Sequence, residues 1–207
     1  MEAVLIVPLL LTLNTAVASH ILPRFTAVQA LKRETYYELL NRSSSILFQL
    51  YLCYNGFYLT PERVEWMAGS MAGYMLYETI HMAFYSRSID MYIHHTVYPL
   101  AYVISLYGSD KETRLLDFTR IVTLSCLLES TSPFLTVSWC LHTFKYPVNE
   151  THKFFRLVAG IYWSFVRIGV FPYYIFLIND MRYYAICIPF FGLQLYWFRL
   201  ILKKIAT

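Results

Sequence analysis

The sequence contains few charged residues. Asp, Glu, Lys and Arg make up only 14% of the 207 residues, whereas a soluble domain typically carries about 25%. Hydrophobic residues make up 57%, and apolar stretches recur along the whole chain at the length that a bilayer span needs. The composition therefore excludes an ordinary soluble domain and predicts an all-α, polytopic transmembrane helical bundle.

Several chemical signatures are also missing. The cysteines match no zinc spacing and lie in apolar segments, so we predict no disulfide and no zinc–cysteine site; they are Cys53, Cys126, Cys140 and Cys187. The chain has only six histidines and no HxxHH box, which argues against a di-iron desaturase or hydroxylase. It has no internal repeat, which argues against a transporter built from repeats. The net charge of +4 is small, and the basic residues lie between the spans, where they orient the chain in the membrane. We therefore expect no nucleic-acid partner.

The apolar stretches predict about seven spans, one at the N-terminus and six in a main domain, at residues 3–19, 46–60, 64–85, 91–107, 118–141, 155–178 and 183–202. We divide the chain into an N-terminal span with a cytosolic connector (1–40) and the main domain (41–204). The first stretch ends in AVAS, as a cleaved signal peptide does. However, Glu2 replaces the positive charge that a signal needs, so we expect a retained span. The LKRETYYELLNR part of the connector predicts an interfacial helix.

Lys and Arg are distributed unevenly between alternate connections. One side collects eleven of the 17, and Arg167 lies inside a span. The poorer side holds Arg63, Lys111, Arg114, Arg120 and Arg182. Because the richer side usually faces the cytosol, we expect a lumenal N-terminus and a cytosolic C-terminus. The sequons at Asn41 and Asn149 would then be cytosolic and unglycosylated.

Ionisable residues within membrane spans are costly, at about 3 kcal/mol or more each at the bilayer centre, and they usually face a functional cavity. This chain has seven in or beside its spans: Glu78, His81, Asp90, His94, His95, Glu129 and Arg167. We predict that they face an interior cavity within the bilayer and mark a functional site.

Helical spacing groups some of these side chains. Asp90, His94, His95, Tyr98 and Tyr102 form one polar stripe on the fourth span. Glu78 and His81 share a face of the third span, and a tight turn would bring that face beside the two histidines. For Glu129 and Arg167, a purely structural ion pair is an equally good interpretation. Two prolines add to the prediction of a wet cavity, because Pro99 and Pro133 each leave a backbone carbonyl unpaired.

The chain resembles the TLC (TRAM/LAG1/CLN8) domain family, in particular its small TLC-domain-containing branch, which is related to the ceramide synthases. The matching pieces follow the family order. They are Asn41-Arg42 with its serines, Gly73-Tyr74 with Glu78, Asp90 with His94-His95, LLESTSPFLTVSWCL at 127–141, FVRIGVFPYY at 165–174 and the basic last span from Trp197. The resemblance covers residues 41–204.

This resemblance implies a helical bundle around a lipid cavity, most often in the endoplasmic reticulum. It implies a role in sphingolipid metabolism, as an N-acyltransferase that joins an acyl chain from acyl-CoA to a sphingoid base. His94, His95 and Glu129 would then be catalytic, with one histidine as base or acyl acceptor. Glu78, His81, Asp90, Tyr98 and Arg167 would line the substrate cavity. No cofactor is implied besides acyl-CoA as a substrate, and the oligomeric state stays open.

The chain departs from the family pattern at three positions. Ser132 replaces a second acid of the synthases, Ser138 replaces an arginine of the small branch, and Glu78 replaces an aspartate. A non-catalytic lipid-binding or lipid-regulating membrane protein is therefore the alternative. A third possibility, a zinc hydrolase, would use as ligands His81, His94, His95 and Glu78 or Asp90.

Overall fold

The computed structural model describes residues 2–57, 60, 63–86, 88–106, 111–147 and 149–206. Every regular element in these ranges is helical. They are α1 (Glu2–Ile21), a 3₁₀ turn (Leu22–Arg24), α2 (Thr26–Gln29), α3 (Arg33–Phe57), α4 (Val64–Met82), α5 (Ile89–Leu106), α6 (Lys111–Glu129), α7 (Ser132–Thr143), α8 (Glu150–Ser164), a π-helical segment (Phe165–Val170), α9 (Phe171–Leu177) and α10 (Met181–Ala206). The predicted spans 46–60 and 91–107 include residues 58, 59 and 107, which lie outside the described ranges.

Helix α4 lies at the centre of the bundle. It packs against α1, α3, α5 and α6, and most of its side chains are buried on all sides. A helix that is apolar all round is typical of such a position. Methionines fill the contacts around it, with Met67, Met71 and Met82 almost fully buried, because their flexible side chains adapt to irregular gaps.

Helix α1 packs closely on α4 through small residues. A Cβ atom at Gly73 would lie 2.9 Å from the Pro8 ring and 2.9 Å from the Val4 carbonyl oxygen, so only glycine allows this approach. Further along α1, the Thr15 hydroxyl donates to Ser44 of α3 at 2.9 Å and also hydrogen-bonds to the hydroxyl of Tyr77 on α4. The first helix is thus joined to the bundle by both packing and polar contacts.

The predicted span 118–141 consists of two helices. Helix α6 ends at Glu129 and α7 begins at Ser132, with Pro133 in its first turn. A proline fits the first turn of a helix but breaks a helix interior, so the chain changes direction immediately after Glu129. The predicted span 155–178 is likewise composite, because α8, the π-helical segment and α9 follow one another without a gap.

The connector differs from its predicted interfacial helix. Residues 33–42 form the first turns of α3, which continues without interruption to Phe57. No glycine or proline occurs between Arg33 and Asn55, so nothing in the sequence stops the helix at the predicted boundary. The connector helix and the second span are therefore one element of 25 residues.

Four helical stretches in the described residues are long and apolar enough to cross a membrane, by length and composition alone. They are Glu2–Arg24, Leu115–Thr143, Glu150–Leu177 and Met181–Lys203. The all-helical membrane architecture is confirmed, and the count of seven spans stays a prediction. Helices α3, α4 and α5 carry most of the buried polar side chains of the site, which lowers their mean hydropathy.

Candidate functional site

The two adjacent histidines of α5 are each paired with a different carboxylate. His94 Nε2 lies 3.6 Å from Glu129 Oε1, and His95 Nε2 lies 3.9 Å from Glu78 Oε2. The imidazole rings stand nearly perpendicular, at 87° with centroids 5.0 Å apart. Since consecutive residues point about 100° apart on a helix, one histidine reaches α6 and the other reaches α4.

The Glu78–His95 pair belongs to a buried polar network. Glu78 Oε1 accepts hydrogen bonds from the Asn41 amide at 3.1 Å and from the Ser45 hydroxyl at 2.5 Å, both on α3. The Asn41 amide also donates to the Tyr85 hydroxyl at 3.0 Å. This network holds the carboxylate in place, as a buried charge requires. The Glu78–His95 pair and its hydrogen-bond partners therefore join α3, α4 and α5.

The His94–Glu129 pair instead borders a cavity. Both residues line a cavity that is partly open to the outside. Ser132 donates to Glu129 Oε2 at 2.9 Å, while His94 Nδ1 has no hydrogen-bond partner in the described part of the chain. With Nε2 directed at the carboxylate, Nδ1 is the nitrogen whose lone pair would accept a proton or an electrophile, and this atom is buried.

The rest of the cavity wall is mainly apolar. It is formed by α5, α6, α9 and α10, with Met75 of α4, and its residues beside His94 and Glu129 are Met75, Val97, Tyr98, Ala101, Ile121, Leu124, Ser125, Leu128, Phe171, Ile186, Cys187 and Phe190. A polar pair at one point of an otherwise apolar wall is the arrangement that orients an amphiphile.

Two aromatic side chains of α10 pack against His94. The Trp197 indole donates to Asp90 Oδ2 at 2.6 Å, and its ring lies 5.4 Å from that of His94. The ring of Phe190 also stacks on that of His94, with centroids 5.1 Å apart. Asp90 thus lies outside the lining of the cavity and positions Trp197 beside the His94 ring.

Arg167 also lies outside the cavity lining. Its guanidinium donates to the Leu128 carbonyl at 3.1 Å, the Thr131 hydroxyl at 3.2 Å and the Gln194 amide oxygen at 2.9 Å. Within the described residues, no carboxylate lies within 4 Å of it, so the alternative ion pair with Glu129 is not formed. Arg167 instead holds the α6–α7 break that carries Glu129, from a π-helical segment of a kind often found at functional sites.

The other predicted residues divide between cavity and surroundings. Tyr98 is one of the residues that line the cavity. His81 is only half-buried and makes ring contacts with Tyr77, at 4.3 Å, and Phe84, rather than joining the two histidines. In the ranges that the structure covers, no three His, Cys, Asp or Glu side chains converge on a position for a metal ion.

Sequence reasoning missed four side chains that hold the site together. Asn41 and Ser45 bind Glu78, Gln194 binds Arg167, and Ser132 binds Glu129. A signal was available for the first two, because residues 41, 45 and 49 form a polar line at helical spacing that continues into the apolar segment after Ser45. Nothing comparable marks Gln194, which is the single buried amide of α10 in the described ranges.

These features define an integral membrane protein with an intramembrane cavity in which a histidine–carboxylate pair meets an apolar interior. The family model of the TLC domain matches residues 33–203. The chain therefore belongs to the TLC-domain family, and this membership connects it with membrane lipids. No curated protein and no solved structure matches the chain significantly.

Proposed function

We propose that the protein is an N-acyltransferase of the endoplasmic reticulum that joins an acyl chain from acyl-CoA to a sphingoid base. The observation that carries the proposal is the position of His94, which lines the mainly apolar cavity while its Nε2 lies beside the buried carboxylate of Glu129. A histidine oriented by a carboxylate is a recurring arrangement for acyl transfer. The separation of 3.6 Å is longer than a hydrogen bond, as is common before a substrate binds.

In the proposed reaction, the amine attacks the thioester carbonyl, a C–N bond forms and the C–S bond breaks. The amine loses a proton and the departing CoA thiolate gains one, so atoms and charge balance. His94 Nδ1 removes the amine proton in this direct route. In a two-step route, Nδ1 itself attacks the thioester and the C–S bond breaks to release the thiolate; the amine then attacks the acyl-imidazole, the bond from the acyl carbon to Nδ1 breaks, and the amine proton is passed to the thiolate. In both routes Glu129 stabilises the positive charge that develops on the imidazole, while the apolar wall holds the acyl chain.

Ser132, which replaces the second acid of the ceramide synthases, can still orient Glu129. The Ser132 hydroxyl donates to Glu129, so it orients the carboxylate without adding a second negative charge. His95 has a different role in this proposal. Its contact with Glu78 makes it a positioning residue that fixes the rotation of α5, and hence the direction of His94.

The test uses cells that lack their own ceramide synthases and are fed a deuterated sphingoid base. Wild-type protein is expected to form labelled ceramide, and His94→Ala is expected to lower its formation by about 100-fold or more, the usual contribution of a general base. The matched control is His142→Ala, because His142 is exposed at the end of α7 and its loss should leave the rate unchanged. Labelled ceramide at the background level with wild-type protein would refute the proposal.

The second candidate is a non-catalytic protein that binds or regulates lipid through the same cavity. The serine at position 132, in place of an acid, favours it. In that case wild-type protein and His94→Ala would form no labelled ceramide, but lipid extracted with the purified wild-type protein would still include a stoichiometric bound species. Quantitative mass spectrometry of that extract separates the two functions.

A further inference from the structure

The cavity has a direction, which follows from the antiparallel packing of α5 and α6. On α5, Tyr98 and Ala101 follow His94 at successive turns, and on α6, Ser125 and Ile121 precede Glu129. At a rise of about 1.5 Å per residue, Ala101 and Ile121 lie roughly 10–12 Å from the histidine–carboxylate pair. The polar pair therefore marks one end of the cavity, and Ala101 and Ile121 mark the other.

Beyond Ala101 and Ile121 along their helices, the aromatic side chains of Tyr102 on α5 and Phe118 on α6 lie against each other. The rings of Tyr102 and Phe118 lie 6.0 Å apart, and Phe118 is buried. Neither residue belongs to the cavity lining. We call this pair the floor, since it lies at the end opposite His94.

A buried polar cluster fixes the floor. Asp117, which directly precedes Phe118, is fully buried and accepts hydrogen bonds at 2.8 Å from the backbone amides of Asn179 and Asp180. Arg120 donates both to Asp117 and to the Leu177 carbonyl oxygen. These contacts join α6 to the connection between α9 and α10, so the floor cannot shift without breaking charge-assisted hydrogen bonds.

From this geometry we infer that the floor sets the length of the acyl chain that the cavity accepts. The inference rests on the proposed function, in that the cavity holds an acyl chain with its polar end at His94 and Glu129. The methyl end then reaches Ala101 and Ile121. A chain that is too long meets the Tyr102–Phe118 pair, and a chain that is too short leaves apolar wall without contacts. The small side chain of Ala101 leaves the last part of this space open.

Two opposite changes test the inference. Ala101→Leu adds atoms at the deep end and is expected to shorten the preferred chain by about two carbons, because the added atoms occupy the space of that many methylenes. Phe118→Ala opens the floor and is expected to lengthen the preferred chain. Ile121→Ala serves as a second enlarging variant if Phe118→Ala does not fold. The matched controls are Val103→Leu and Leu116→Ala, at side chains 46% and 49% exposed on the outer faces of α5 and α6.

The full-length protein is purified in detergent and incubated with an equimolar series of saturated fatty acids of increasing length, and native mass spectrometry measures which of them bind. The expected result is one preferred length in wild type, opposite shifts in the two cavity variants and no shift in the controls. A flat preference, no binding, or a preference that neither cavity variant changes would overturn the inference. Failure of ceramide formation together with a preferred length that shifts as expected would reject the acyltransferase and leave this inference standing.

Discussion

The contact between α1 and α4 predicts a measurable cost for one methyl group. Gly73→Ala would place a Cβ atom 2.9 Å from both the Pro8 ring and the Val4 carbonyl oxygen. The carbonyl belongs to the backbone of α1, so one of the two helices has to move. Overpacking of this kind costs about 1–3 kcal/mol. Alanine also gains up to about 1 kcal/mol over glycine from helix propensity, which partly hides the clash in a single measurement.

A second glycine removes that ambiguity. Gly160 lies within α8, and a Cβ atom there would meet nothing within 4 Å, so Gly160→Ala gains the propensity term alone. The difference between the two variants therefore reports the clash, at about 1–3 kcal/mol, or several degrees in melting temperature for a chain of this size. Thermal unfolding in detergent at one scan rate measures it. Equal stabilities of Gly73→Ala and Gly160→Ala would refute close packing of α1 on α4, and would also be the result if α1 were removed as a signal peptide.

Three further predictions concern polar groups. Asp117→Ala leaves the hydrogen-bond donors around it unpaired in the interior, and we expect a loss of about 3–5 kcal/mol in the free energy of unfolding, measured by thermal unfolding. Trp197→Phe removes the hydrogen bond to Asp90 but keeps a ring over His94, and we expect a loss of only about 1 kcal/mol in the same measurement. Neither sequon should carry a glycan in cells, which glycosidase digestion followed by gel mobility checks, because Asn41 is buried and the predicted topology makes Asn149 cytosolic.

Each of these predictions has its own contrary result. Asp117→Asn is the matched control for the first, since it keeps one acceptor oxygen and should lose less stability than the alanine variant; equal losses would contradict the role given to that carboxylate. A loss with Trp197→Phe as large as that with Asp117→Ala would mean that the indole is a main support of the bundle. A glycan on Asn149 would reverse the assigned orientation.

Composition and helical spacing predicted the helical architecture and the paired polar faces of α4 and α5. The spacing of Asp90, His94 and Tyr98 correctly placed them on one face, because a regular helix fixes the angle between its own side chains. The approach of Glu78 to the histidines also followed from the tight connection between the two helices. These are local properties, so a single sequence contains the information for them.

The partners chosen across helices could not be predicted in the same way. His81 lies three residues after Glu78, so helical spacing predicts that it shares the face of Glu78. It packs instead on Tyr77 and Phe84, because a small rotation of α4 decides which of its side chains faces the histidines of α5. Arg167 offers a similar lesson. An ion pair with Glu129 is one of two equal interpretations of this arginine from the sequence, but the break after α6 exposes the Leu128 carbonyl, which accepts a hydrogen bond from it. Neither the rotation of α4 about its axis nor the π-helical segment around Arg167 can be predicted from the sequence pattern.

The glycine-lined contact of α1 has a consequence for how the chain is made. Helix α1 has its main packing surface on α4, and α2 and α3 are synthesised between the two. The contact of α1 with α3 can form first, but its close contact with α4 cannot form until α4 is synthesised. The α1–α4 contact therefore joins helices that are not consecutive in the chain, and it forms after the contact of α1 with α3 becomes possible.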